Sequence, residues 1–235
     1  MNRDVIIALD FPDAATTFDF LDQFREEKPF VKIGMELFYA EGPQMVRGIK
    51  ARGHKIFLDL KLHDIPHTVE CAMRSLASLD VDMVNVHAAG TRAMMEAGLK
   101  GLMRPDGSRP LLIAVTQLTS TDETRMREEL LIDRPLEEVV ASYAANAKAA
   151  GLDGVVCSPL EASKVHDICG KDFVTVTPGI RLTGDDKGDQ KRVTTPVDAG
   201  ALGSDYIVVG RSITAADDPV AAYRRCVKEF LKEGD

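Results

Sequence analysis

Eight short apolar runs, separated by longer stretches of helical period, constrain the fold of this chain more than any other feature. The runs are 4–10 (DVIIALD), 30–35 (FVKIGM), 55–60 (KIFLDL), 82–87 (DMVNVH), 111–116 (LLIAVT), 153–157 (DGVVC), 172–176 (DFVTV) and 205–209 (DYIVV). Most are near-continuous in Val, Ile and Leu, the pattern of parallel strands covered on both faces. Between them, 13–27, 41–52, 65–79, 90–103, 135–150, 160–169 and 217–232 carry Ala, Leu and Glu at three- and four-residue spacing, as helices laid on such a sheet should. Asp13 is placed to cap the first helix, Pro135 to sit in a first turn, and Gly151 to stop the Ala-rich helix before it. No Pro/Ser/Gly-rich linker divides the 235 residues, and the rhythm predicts an α/β protein built as one (β/α)8 TIM barrel over residues 1–235. A doubly wound open sheet shares that rhythm, because strand order cannot be read from sequence. Its dinucleotide-binding version is disfavoured, since no G-x-G-x-x-G follows the first run.

Charge and cysteine usage narrow the function classes. A formal net charge of −8 argues against nucleic acid or an anionic membrane as partner, while leaving room for a locally basic pocket. No 18 apolar residues run together, so no membrane span is expected, and the first apolar stretch ends at Asp10, too short for a signal-peptide core. Cys71, Cys157, Cys169 and Cys226 form no C-x-x-C pair and no zinc-ligand spacing. They read as reduced, mostly buried thiols of a cytoplasmic protein.

In a barrel the chemistry sits at the C-terminal ends of the strands, where this chain has Asp10, Lys32, Asp59, Lys61, Asp64 and His87. Side chains alternate faces along a strand. If Leu58 and Leu60 face the helices, Asp59 and Lys61 face the barrel axis at its mouth, and Lys32, between Val31 and Ile33, looks inward as well. Isolated buried charges are prohibitive, but two lysines among two or three carboxylates satisfy one another. The purely structural alternatives are an ion-pair plug, a role apolar residues fill at less cost, and a surface position for Lys32 on a misread strand.

A second cluster follows the eighth run, where Gly210, Arg211 and Ser212 lead into a short helix. Backbone N–H groups and a guanidinium there suit a phosphate, against the alternative of a plain helix start, and Gly179 and Arg181 after the seventh run supply a second flank. From Gly179 to Thr195 the sequence is polar and aperiodic, which favours a lid over the catalytic end against a disordered insertion, with Arg181 at its root and Gln190 and Arg192 near its far end. His87 suits either ligand contact or a core hydrogen bond. His63 and His67 flank Asp64, but Pro66 lies between them and H-E-x-x-H is lacking, so no metal site is expected. His54 and His166 read as surface residues, and Met83, Met94 and Met95 as packing.

The stretch from Asp59 to Thr68, DLKLHDIPHT, resembles the D-x-K-x-x-D-I-P-x-T signature of the orotidine 5'-phosphate decarboxylase family, in its bacterial form. The likeness extends over essentially the whole chain: IIALDFPD with Asp10, VKIGMELF with Lys32, NVHAAG, LLIAVTQLTS with Thr119, VTPGIR with Pro178 and Arg181, Gln190, and IVVGRSIT with Gly210 and Arg211. It implies conversion of orotidine 5'-monophosphate to UMP and CO2, the last step of de novo pyrimidine nucleotide synthesis, with no cofactor and no metal. It implies that Lys61 donates the proton to C6, that Asp59 lies beside the substrate carboxylate, and that Lys32, Asp59, Lys61 and Asp64 form the charged array. Asp64 is implied to come from the other subunit of a homodimer, with Ile65 and Thr68 crossing beside it. Asp10 and Lys32 fall to the ribose hydroxyls, Thr119 to the pyrimidine edge, and Gln190, Arg211 and the Gly210 N–H to the phosphate. Pro178 belongs to the same substrate-binding set, and Arg181 anchors the lid.

Three rivals meet specific obstacles. A barrel decarboxylase acting on 3-keto-L-gulonate 6-phosphate resembles this chain in its D-x-K-x-x-D strand, yet is expected to hold Mg²⁺ through an acid where this chain has Lys32, a cation that repels the metal. A Schiff-base aldolase needs a neutral Lys61, which adjacent carboxylates disfavour. A catalytically inactive phosphate-binding barrel has no use for an inward Lys/Asp array beside its phosphate clamp.

Overall fold

The apolar runs pair side by side as parallel strands: β1 (Asp4–Leu9), β2 (Phe30–Gly34), β3 (Ile56–Leu62), β4 (Met83–His87), β5 (Leu111–Val115), β6 (Gly154–Val156), β7 (Val174–Thr177) and β8 (Tyr206–Val209). In the computed structural model, which describes residues 3–183 and 193–231, β1 also pairs with β8, so the sheet closes in the order of the sequence. Closure removes the open-sheet alternative and establishes the (β/α)8 barrel. Around it lie α1 (Ala14–Leu21), α2 (Met35–Glu41), α3 (Pro43–Ala51), α4 (Pro66–Ala77), α5 (Thr91–Leu102) and α6 (Glu123–Glu128). The second half adds α7 (Leu136–Ala149), α8 (Ala162–Cys169), α9 (Pro196–Ala201), α10 (Arg211–Thr214) and α11 (Pro219–Leu231).

Strand parity sorts the core into two bodies. Along β1, Val5, Ile7 and Leu9 join the layer beneath the helices, whereas Ile6 and Ala8 turn to the barrel axis. The same parity sends Phe30, Phe57, Met83, Ile113, Val176 and Val208 inward. Each large apolar side chain withdrawn in this way contributes roughly 1.5–3 kcal/mol. The interior below the mouth is therefore packed, and only the upper end of the barrel is free to carry polar groups.

Local signals acted largely as expected. Asp13 accepts a hydrogen bond from the Thr16 N–H at 2.8 Å and caps α1, and Gly151 follows α7 at φ 86. Pro135 is the N-cap of α7 rather than a first-turn residue. The first helix stops at Leu21 instead of 27, because tight turns at Gln23 and Phe24 close it and draw Phe24 into an aromatic cluster with Phe20 and Tyr223. The expected helix 41–52 is broken at Gly42, whose φ of 66 separates α2 from α3. The short α6, α9 and α10 carry too few turns to show a period.

Two histidines are not on the surface. His54 is buried, its Nδ1 lying 2.9 Å from the Pro29 carbonyl, and burial pushes its pKa down. His166 is half-buried with Nε2 3.0 Å from the Asp205 carboxylate, because it shares the inner side of α8 with Val165 and Cys169. None of the four cysteines is joined in a disulfide, and only Cys71 among them is not buried. Among the described residues no helix is long and apolar enough to cross a membrane.

Candidate active site

Inward parity at the upper end of β1 to β4 assembles a charged cluster. Lys32, in β2, places Nζ 3.1 Å from Asp10 Oδ1 and 3.5 Å from Asp59 Oδ2. Lys61 places its own ammonium 2.7 Å from Asp59 Oδ1. Gly34 keeps room for this arrangement, since a Cβ there would stand 3.1 Å from Lys32 Nζ and 3.3 Å from Asp10 Oδ1. Asp59 is only 7% exposed. Burial pushes its carboxyl up, but the Lys32 and Lys61 ammoniums, with hydrogen bonds from Lys61 and Asn85, outweigh burial and hold it below its ordinary value of 3.8.

Lys61 is held in an unusual backbone state. β3 runs to Leu62, two residues beyond the expected end, and its register against β4 shifts between Leu58 and Leu62. Within that irregularity Lys61 adopts φ 52, a left-handed conformation that costs a non-glycine residue roughly 1–2 kcal/mol. The side chain of Asn85, from β4, offsets the strain by accepting the Lys61 N–H at 2.8 Å. Asn85 was not singled out in the sequence, although a polar residue at an inward position of an apolar run is the same signal that marked Lys32.

The array opens on a cavity of about 150 Å³ whose opposite wall includes Val115, Leu118, Val156, Cys157 and Val176. Thr119 and Pro178 line this cavity too. Lys32, Pro178 and Val208 are shared with an adjoining cavity of about 410 Å³, lined also by Asp10, Gly179, Arg181, Gly210, Arg211 and Thr214. One compartment is thus largely apolar with two ammoniums at its side, and the next offers two guanidiniums. Arg181 is buried, its guanidinium donating to the Ile180 carbonyl at 2.9 Å. The Arg181 N–H reaches the Thr194 carbonyl and the Thr194 N–H the Gly179 carbonyl, so the two roots of the expected lid are tied together. Gln190 and Arg192, and with them most of that segment, lie outside the described residues. Gly210 precedes α10, and among the described residues a Cβ there would meet only Ala8, at an ordinary 3.8 Å. Packing among the described residues does not require a glycine at that position.

Three expected site residues stand apart. Asp64 is exposed, turns its carboxylate to the Ile65 N–H at 2.6 Å, and makes no ion pair with either lysine among the described residues. Ile65 is 67% exposed, and Thr68 is exposed one helical turn further on. His87 is half-buried beside His63, ring centroids 5.7 Å apart; burial first, then His63 and Lys61, push its pKa down against the pull of Asp59.

The comparisons agree along the whole chain. The family model described as Orotidine 5'-phosphate decarboxylase / HUMPS family matches residues 3–226. An orotidine 5'-phosphate decarboxylase of Bacillus mycoides (strain KBAB4) is 60% identical over 233 residues, 98% of each chain. Among solved structures, orotidine 5'-phosphate decarboxylase from Lactobacillus acidophilus superposes with a TM-score of 0.88 at 43% identity, covering 97% of this chain and 99% of that one. An uncharacterized conserved protein from Geobacillus kaustophilus superposes with a TM-score of 0.87 at 52% identity, covering 96% and 99%.

Proposed function

The chain belongs to the orotidine 5'-phosphate decarboxylase / HUMPS family, and we propose that it decarboxylates orotidine 5'-monophosphate to UMP and CO2 with Lys61 as the proton donor. The observation that carries the assignment of roles is the Lys61 ammonium held 2.7 Å from a buried Asp59 beside a largely apolar cavity.

The chemistry follows from that setting. The C6–carboxylate bond breaks with its electron pair left on C6, CO2 departs, and no carbonyl of the ring is placed to take the charge directly. Covalent help is therefore scarce, and a preorganised field is the main resource of the site. The Lys61 ammonium is attracted more strongly as charge gathers on C6, delivers its proton there, and regains one from solvent after turnover. Asp59 sits next to the departing carboxylate, and its repulsion is relieved as CO2 leaves. Low dielectric at the apolar wall strengthens each of these interactions.

The rest of the cleft suits the remainder of the nucleotide. Lys32, shared by the two cavities, and Asp10, in the second of them, take the ribose hydroxyls. Thr119 and Pro178 flank the pyrimidine, and the Gly210 N–H and the Arg211 guanidinium take the phosphate, with Arg181 and Gln190 on its other side. The glycine at 210, not required by packing among the described residues, leaves the backbone open to a phosphate oxygen. Phosphate contacts are remote from C6, so their binding energy is available to hold the ring in place during the reaction.

Asp64, Ile65 and Thr68 complete the site from a partner subunit in this proposal. Their exposure, and the absence of Asp64 from its own subunit's array, support a homodimer in which each array borrows Asp64 of the partner subunit. Against the Mg²⁺-dependent alternative in the same family stands Lys32, a cation lodged between Asp10 and Asp59 where a metal would require oxygen ligands.

Purified protein, treated with EDTA, is mixed with orotidine 5'-monophosphate, and the ultraviolet absorbance of the substrate is followed. Steady loss with formation of UMP is expected. A flat trace, with Mg²⁺-dependent turnover of 3-keto-L-gulonate 6-phosphate instead, would replace this reading by the other branch of the family.

A further inference from the structure

We infer that Asn85 is a positioning residue for the decarboxylation, holding the Lys61 ammonium and the Asp59 carboxylate in one fixed arrangement. The inference rests on the roles assigned above to those two residues.

Asn85 is 1% exposed and lies in β4 between Val84 and Val86, inward like Met83. The direction of its carboxamide is set by chemistry. A backbone N–H can only donate, so the atom 2.8 Å from the Lys61 nitrogen is the amide oxygen. That leaves the amide nitrogen facing Asp59 Oδ1, at 2.6 Å. The same carboxylate oxygen accepts the Lys61 ammonium at 2.7 Å. The contacts close a ring that runs from the Lys61 backbone through Asn85 to Asp59 and back through the Lys61 side chain.

Each link has a consequence. The bond to the Lys61 N–H supports the left-handed backbone from which the ammonium is aimed. The bond to Asp59 fixes the rotamer of the carboxylate, so that both charges are in place before substrate arrives, as catalysis by a preorganised field requires. An apolar residue at 85 would leave the Lys61 N–H without its buried acceptor, and a buried donor left unpaired disfavours the backbone that carries it. An aspartate would keep the shape but, when ionised, set oxygen against oxygen at the 2.6 Å contact, a repulsion that a proton on one of the two carboxyls relieves. Asn85 is absent from the residues lining the cavity and stands behind Asp59 and Lys61. Its influence is therefore on the rate of the chemical step and not on substrate affinity.

Wild type, N85A and N85D are compared for kcat and KM with orotidine 5'-monophosphate, for thermal melting, and for UMP binding by calorimetry. For N85A we expect kcat to fall roughly 10–100-fold, the scale set by misplacing a reacting group by an ångström or less, with KM and UMP affinity little changed. The near-isosteric N85D gives the reading a signature that a merely structural role lacks. Its kcat relative to wild type should recover as pH falls, because a protonated Asp at 85 donates to Asp59 as the amide does. The charged and titratable groups around the array, Lys32 and Lys61 beside Asp59 with His63 and His87 next to them, are common to both proteins and cancel in the ratio. Wild-type kcat in N85A, or an N85D profile parallel to wild type, would overturn the positioning role while leaving the decarboxylase reading intact. A wild-type protein inert toward orotidine 5'-monophosphate would instead remove the reading beneath it.

Discussion

Replacing Lys61 by alanine tests the centre of the proposed mechanism, and the structure sets the size of the effect. An ammonium within about 3 Å of a full negative charge, at an effective dielectric of about 20, is worth roughly 5–6 kcal/mol. That energy corresponds to a rate factor on the order of 10⁴. The charge on C6 is incomplete in the transition state and the Lys61 side chain is 25% exposed, both of which reduce the factor. Loss of the proton donor acts the other way, general acids contributing about 10²–10⁴, and the two effects belong to one residue and do not simply multiply. A fall in kcat on the order of 10⁴ is the expected outcome. The fold should survive the change. Stripping a buried charge of its sole partner costs about 3–5 kcal/mol, whereas Asp59 here retains Lys32 at 3.5 Å and Asn85 at 2.6 Å. A stability loss of only about 1–2 kcal/mol is anticipated. Initial rates come from substrate absorbance, and binding from calorimetry with UMP, which should be retained. A variant that melts normally and turns over within tenfold of wild type would refute the assignment of Lys61.

The remaining expectations concern the phosphate, the partner subunit and acid. Arg211→Ala should raise KM for orotidine 5'-monophosphate by removing a guanidinium from the second cavity, and an unchanged KM would disprove the phosphate site. Mixing Asp64→Ala with Lys61→Ala chains, each nearly inactive alone, should restore about a quarter of wild-type activity, since half of the reassorted dimers each regain one of two sites. No recovery after verified exchange would mean that Asp64 serves its own subunit. Asp59, held below 3.8, contributes stability that is present above that value and is lost as pH falls through its folded pKa. Denaturation midpoints of wild type should therefore drop more steeply below pH 3.8 than those of Asp59→Asn; parallel curves would contradict the pairing.

What the sequence revealed and what it hid have separate physical origins. The strands of a closed parallel barrel are buried on both faces, so each left a continuous apolar run, and all eight were located to within two residues at either end. Against that background a charge inside a run is conspicuous, which is why Lys32, Asp59 and Lys61 stand out in the sequence. Asn85 obeys the same logic but is uncharged, and without the position of β3 beside it nothing distinguished a structural amide from one tied to the array. The left-handed Lys61 was hidden for a deeper reason. Alternation assumes a regular strand, and the irregularity between Leu58 and Leu62 arises from pairing with β4, a tertiary relation no local pattern encodes. Asp64 marks the opposite limit. Its neighbours Ile65 and Thr68 are as exposed as loop residues in any barrel, so within one chain this segment is a surface that lacks a purpose. In the proposed dimer the same exposure becomes intelligible, because among the described residues Lys61 pairs with Asp59 only, and a carboxylate from a partner subunit has a place beside it.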